Sequence, residues 1–86
     1  MAGTNVNAAG GIILYRVDPG RNMHRYYRLA VQVDLFGRWS FLSEWGRIGS
    51  PGRVRILTFE SGAEANEALN RRRRAKERRG YAMAVA

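Results

Sequence analysis

The chain has no cysteine and a single histidine, His24, among 86 residues. Without cysteine there are no disulfides and no thiolate metal sites, which is consistent with a cytoplasmic protein. One histidine and scattered carboxylates do not make a metal-ligand set, and no cofactor is expected. Ser-His-Asp and Cys-His catalysis need a positioned base and a group that orients it. His24 could in principle meet Asp18 or Asp34, but a loop histidine beside arginines is more often exposed and inert. Asp18, Asp34, Glu44 and Glu60 lie far apart in sequence and offer no catalytic pair. The glycines at 46, 49 and 52 are not followed by Gly-Lys-Ser/Thr, so they do not form a Walker loop. The chain therefore reads as a non-enzyme. No apolar run approaches the ~18 residues of a membrane span, and no membrane partner is expected. Residues 1–11 show no basic segment followed by an apolar core, the pattern of a secretory signal.

Acidic side chains are scarce as well. Seven Asp and Glu stand against 15 Lys and Arg, a formal net charge of +8. Such an excess points to a polyanionic partner. The cations are mostly arginine, whose planar fork binds phosphate and stacks on bases, which favours nucleic acid. The length allows one small domain, and 45% apolar residues allow it a modest core.

Residues 1–11 are Ala, Gly and Asn with little to bury and read as a flexible tail. Residues 12–17 are apolar and partly β-branched, a strand. Asp18-Pro19-Gly20 opens a loop that is expected to run through Arg25. Residues 26–34 alternate, with Tyr27, Leu29, Val31 and Val33 on one face and Tyr26, Arg28, Ala30 and Gln32 on the other. Period two with aromatics and valines means a half-buried strand. Leu35-Phe36-Gly37 is a hairpin connection, and residues 38–45 return. On the return strand Trp39 and Phe41 are expected in the core. Trp45 shares their parity, but it stands at the expected strand end, where a bulge or twist can re-aim it. Residues 53–60 form a further strand. Ser61 and Glu64 have the spacing of a capping box, and a helix follows to about Arg79. Ala65, Ala68 and Leu69 give that helix a narrow face that can lie close on a sheet. Glu60, Glu64 and Glu67 crowd its start, and Arg71 to Arg74, Lys76, Arg78 and Arg79 crowd its end, which complements the helix dipole. Four consecutive arginines cannot share one face, so one or two must project over the sheet with buried stems. Gly80 suits the position after the helix. The expected fold is α+β, a small antiparallel sheet of about four or five strands with one helix across it. The domain is expected to span 12–82, with residues 83–86 frayed.

Trp45-Gly46-Arg47-Ile48-Gly49, followed by Gly52, resembles the signature of the WGR domain family. Other features agree with that family: Asn22 ahead of Arg25-Tyr26-Tyr27 and Leu29, Gly37-Arg38-Trp39, and Phe59 leading into an Ala-rich helix. The helix ends in Lys76 and is followed by Arg79-Gly80-Tyr81, so the resemblance covers roughly residues 12–82. WGR domains accompany the catalytic domain of poly(ADP-ribose) polymerases. The resemblance implies that Trp45 packs on a nucleotide at a DNA end and that Arg47 couples to a neighbouring domain.

The reading of the residues themselves is of a binding module. Phosphates would be held by Arg47, Arg53, Arg55 and the helix-end cluster Arg71, Arg72, Arg73, Arg74, Lys76 and Arg78. Trp45 would supply a stacking plane, and Gly46 would let the backbone approach a partner closely. Recognition of duplex DNA or its ends, with little base specificity, is expected. The alternative partner is a protein, with Trp45 and Arg47 as the hot spot of an adaptor surface.

Overall fold

Period-two alternation across the middle of the chain builds the sheet. The computed structural model describes residues 11–83. Strand β1 is Ile12–Asp18, followed by a 3-10 turn at Pro19–Arg21. Strands β2 (Met23–Val33), β3 (Trp39–Arg47) and β4 (Arg53–Phe59) follow, then helix α1 (Gly62–Arg78) and a short strand β5 (Ala82–Met83). The sheet order is β4-β3-β2-β1-β5, with every neighbouring pair antiparallel. This is the α+β fold expected from the sequence.

Two boundaries differ from that expectation. The loop after Asp18 is shorter, because Asn22 adopts a left-handed conformation (φ 53°) and β2 starts at Met23. His24 and Arg25 are therefore strand residues. Strand β3 runs two residues past Trp45, in unbroken register with β2 from Val33↔Trp39 to Arg25↔Arg47. Trp45 thus lies inside a strand and keeps the face of Phe41, with no bulge to re-aim it. At the C-terminus, Ala82 and Met83 pair with Tyr15 and Leu14 of β1. The expected tail at 1–10 and the last residues, 84–86, lie outside the described residues.

Cross-strand partners share a face, so the register sorts the side chains. Under the helix lie Leu14, Tyr27, Leu29 and Phe41, all buried, with Ile12, Val31, Leu57 and Phe59 packed around them. Fully burying a side chain of this kind contributes about 1.5–3 kcal/mol. Ser43 and Ala65 are also buried, and their small volumes let helix and sheet approach. Phe41 is core as expected, whereas Trp39 is half-buried, with Gly62 of the helix against its indole.

Ser61 caps the helix, its Oγ accepting from the Glu64 N–H at 3.2 Å. The other end is a Schellman turn. Gly80 N–H donates to the Glu77 carbonyl at 3.0 Å, and Tyr81 N–H to the Lys76 carbonyl at 3.1 Å. Gly80 has φ 97°, which only glycine adopts without strain. The turn throws Tyr81 back onto the sheet and sets β5 at its edge.

The opposite sheet face carries one charged cluster. Glu44 accepts from Tyr26 Oη at 2.8 Å and from Arg28 Nε at 3.2 Å. The Tyr26 hydrogen bond, then Arg28, hold the Glu44 carboxyl below the usual carboxylate range. A depressed carboxylate stabilises the fold fully above its unfolded pKa, near 4.3, and loses that contribution as pH falls through the folded value. Glu44→Gln should therefore lower the melting temperature at neutral pH but hardly at all in strong acid. Melting curves of both proteins across the acid range check this, and a pH-independent gap would contradict it.

Candidate functional site

Helix α1 crosses the sheet on a diagonal. Its first residue, Gly62, sits over Trp39 of β3. Ten residues on, Arg72 Nη1 donates to Tyr27 Oη of β2 at 3.0 Å. Lys76 Nζ stands 4.6 Å from the centre of the Tyr27 ring and 5.8 Å from that of Tyr81. Beyond the helix, Gly80 lies against Arg16 of β1. The helix thus drifts away from β4 as it proceeds. Arg53, Arg55 and one side of Trp45 belong to the helix-side face, yet the helix does not cover them.

The stripe Ala65, Ala68, Leu69, Arg72, Lys76 follows helical spacing along one face. It changes from small and apolar to cationic as it passes over Tyr27. Burial pushes the Lys76 ammonium below the ordinary lysine range, and Arg79 and Arg72 push it the same way. Contact with two aromatic rings partly compensates that desolvation.

Two rows of side chains meet at this end of the sheet. One row runs Leu14, Tyr27, Trp45, Arg53 across β1 to β4. The next runs Arg16, Arg25, Arg47 across β1 to β3. Neighbouring strands are about 4.8 Å apart, so three guanidinium groups start from one rung of three adjacent strands. Like charges opposite one another are destabilising. Among the described residues neither Arg16 nor Arg25 has a carboxylate partner. Arg25, Trp45, Gly46, Arg47 and Tyr81 line a cleft of about 300 Å³.

Trp45 stacks on Tyr27, with centroids 5.5 Å apart and planes 11° from parallel. Tyr81 meets Tyr27 edge-on at 6.0 Å. One face of the Trp45 indole is therefore taken, and the side chain also lines the cleft. Gly46 has a packing reason of its own: a Cβ there would stand 3.0 Å from Gly52 Cα, so the turn that folds over it after β3 would have to give way slightly. Gly52 in turn lies against Tyr26 and the Trp45 backbone. Arg47 is exposed but anchored, with Nη1 on the Asn22 carbonyl at 3.3 Å and Nη2 on Asn22 Oδ1 at 3.2 Å. This ties the end of β3 to the left-handed turn before β2.

The structure gathers Trp45, Gly46, Arg47 and Arg53 in one place, with Arg55 one rung further along the same face. Arg72 and Lys76 join them through Tyr27. Arg72 is half-buried over the sheet, as expected for one of the four consecutive arginines, and Lys76 one turn on is half-buried too. Arg71, Arg74 and Arg78 are exposed on the helix away from the cleft. Arg73 turns back onto its own helix, bonded to Glu77 at 3.4 Å and to Asn70. The sequence reading passed over Arg16, Arg25, Tyr27 and Tyr81 as site residues. Only the register brings Arg16 and Arg25 beside Arg47, because the sequence places Arg25 in the loop after Asp18 and carries no signal for the earlier strand start.

Together these features define a small α+β domain with a cationic, aromatic cleft at the Trp-Gly-Arg end of its third strand. The WGR domain family model matches residues 11–86, and the chain belongs to that family. Over 66 residues it is 39% identical to the uncharacterized protein y4dW of Sinorhizobium fredii. That alignment takes in 77% of this chain and 32% of the relative, so the chain spans about a third of the relative's length. No solved structure gives a significant match. No helix among the described residues is long and apolar enough to cross a membrane.

Trp45 contributes to the fold without being fully buried. Trp45→Ala should cost roughly 2 kcal/mol, less than the ~3–5 kcal/mol of a fully buried aromatic. That corresponds to a melting temperature about 10 °C lower. Trp45→Phe keeps the stack on Tyr27 and should lose less than half as much. Thermal melts of the two variants check this, and equal losses would mean that the stack contributes nothing.

Proposed function

We propose that this domain is a non-enzymatic nucleic-acid-binding module that holds duplex DNA at an end or break. The observation that carries the reading is the row Arg16, Arg25, Arg47 beside the Trp45 cleft. Three cations side by side on adjacent strands repel one another, and a phosphate backbone relieves that repulsion. Arg53 and Arg55 extend the cationic surface along β4, and Arg71, Arg72, Arg74, Lys76 and Arg78 extend it along the helix. Arg73, already engaged with Glu77, contributes less.

In this reading the phosphates position the domain and Trp45 takes a nucleotide face exposed only where a strand ends. The helix lies flat on the sheet and does not present a row of Asn, Gln and Arg for base edges. Phosphate contacts carry no base information, so specificity for sequence is low. Arg47 shapes the cleft through Asn22 and also lends charge to it. Supporting the DNA assignment are the family membership, the arginine-rich composition and the ring-lined cleft.

The test compares a blunt duplex, a nicked duplex, a closed circle and a single strand at several salt concentrations. Arg25→Gln should weaken binding about equally for all sequences and flatten the log K against log salt slope by about 0.9 on duplex DNA. Arg73→Gln should change that slope less. Trp45→Ala should cost about 1–3 kcal/mol of binding, the range of a lost base–aromatic stack, and more on the ended duplex than on the circle. Affinities that ignore salt, together with no change in Arg25→Gln, would overturn the reading in favour of a protein-binding adaptor at Trp45 and Arg47.

A further inference from the structure

The helix covers one face of the sheet and leaves the other open. Outward positions of an antiparallel sheet are ordinarily polar. Here Ile13, Tyr15, Val17, Leu42, Val54 and Ile56 share the face with polar residues of β2, among them His24, Tyr26 and Gln32. Val17, Val54 and Ile56 are 56%, 57% and 58% exposed, on both flanks of the sheet. Of the chain's 15 basic side chains, the strand positions of this face hold only Arg28, which is paired with Glu44 at 3.2 Å. The face is therefore electrically neutral on a chain of net charge +8. An exposed apolar patch of this kind marks an interaction surface.

Charge decides which occupant fits. A nucleic acid or an anionic lipid surface finds no free cation here. An acidic partner is drawn to the helix-side face, where the unpaired arginines lie. Two copies of this chain repel one another everywhere except across this face, where apolar side chains meet and Arg28 and Glu44 are already neutralised. We propose that the open face is a homodimer interface, in which two copies pack sheet on sheet around a two-fold axis. Sheets pack face to face about 10 Å apart, and a two-fold contact closes on itself, so assembly stops at two. The Trp45 clefts then lie on the two outer surfaces of the dimer, facing away from each other.

The dimer does not depend on what the clefts bind, so its test uses nucleic-acid-free protein. Sedimentation velocity over a wide concentration series should show a monomer–dimer equilibrium. Added salt should shift it toward dimer, because screening reduces the repulsion between two cationic copies while the apolar contact persists. Ile56→Glu should raise the dimer dissociation constant at least ~10-fold, since it buries an unpaired charge in the interface. Val54→Lys does the same test with the opposite sign of charge and decides the matter if Ile56→Glu does not fold. Replacing Leu35 and Phe36 with serine, at the exposed hairpin tip, should leave the equilibrium unchanged. A protein that stays monomeric at every concentration and salt overturns the proposal. So does a dimer that salt dissociates, or one that both face variants leave intact.

Discussion

The Tyr27 side chain is almost wholly buried and is met by four others. Trp45 stacks on it from β3, Tyr81 meets it edge-on from beyond the helix, and Lys76 and Arg72 reach it from the helix itself. Cations are drawn to the negative face of an aromatic ring and a guanidinium donates readily to a phenol oxygen. One side chain thus lets a cationic helix end settle on an apolar sheet. Without that ring the helix would carry its charges over a surface that cannot receive them. The diagonal of the helix, the partial cover of Trp45 and the place of Tyr81 all follow from this junction.

The diagonal also divides the molecule's labour between two faces. On the helix side the apolar core gives way, at the Trp-Gly-Arg end, to two rows of aromatic and cationic residues. On the other side apolar side chains flank the neutral Arg28–Glu44 pair. Electrostatic repulsion within the arginine rows is a cost that the packed strands override, because register is fixed by the hydrophobic alternation further along. The same alternation that buries Leu29 and Phe41 lines up Arg16, Arg25 and Arg47.

Much of this was legible in the chain. The alternation of Tyr27, Leu29 and Val31 gave the central strand and its buried face, and Ser61 and Gly80 marked the helix ends. The spacing of helical positions, about 100° apart, alone showed that the arginine run must reach over the sheet. Two things were hidden. The left-handed Asn22 shortens the first loop by a local backbone conformation that no periodicity reports, and this moved Arg25 from loop to strand. The continuation of β3 past Trp45 rests on pairing Gly46 and Arg47 with Tyr26 and Arg25, a long-range contact. The arginine row exists only once three strands are aligned, so composition announced its charge but not its geometry. On β4 the register, which period-two alternation alone does not orient, puts Val54 and Ile56 outward and Arg53 and Arg55 on the helix-side face.

The central claim is that the cleft beside Trp45 is where nucleic acid sits. The chain's two tryptophans make this directly measurable, because each indole N–H gives its own signal in a nitrogen–proton correlation spectrum. Trp39 lies against Gly62 at the other end of the helix and serves as an internal reference. Titration with a short blunt duplex should shift the Trp45 indole signal and the arginine side-chain signals of the Arg16, Arg25, Arg47 row. The Trp39 indole should stay where it is. A saturating titration in which the Trp45 signal does not move, or in which Trp39 moves instead, would contradict the account.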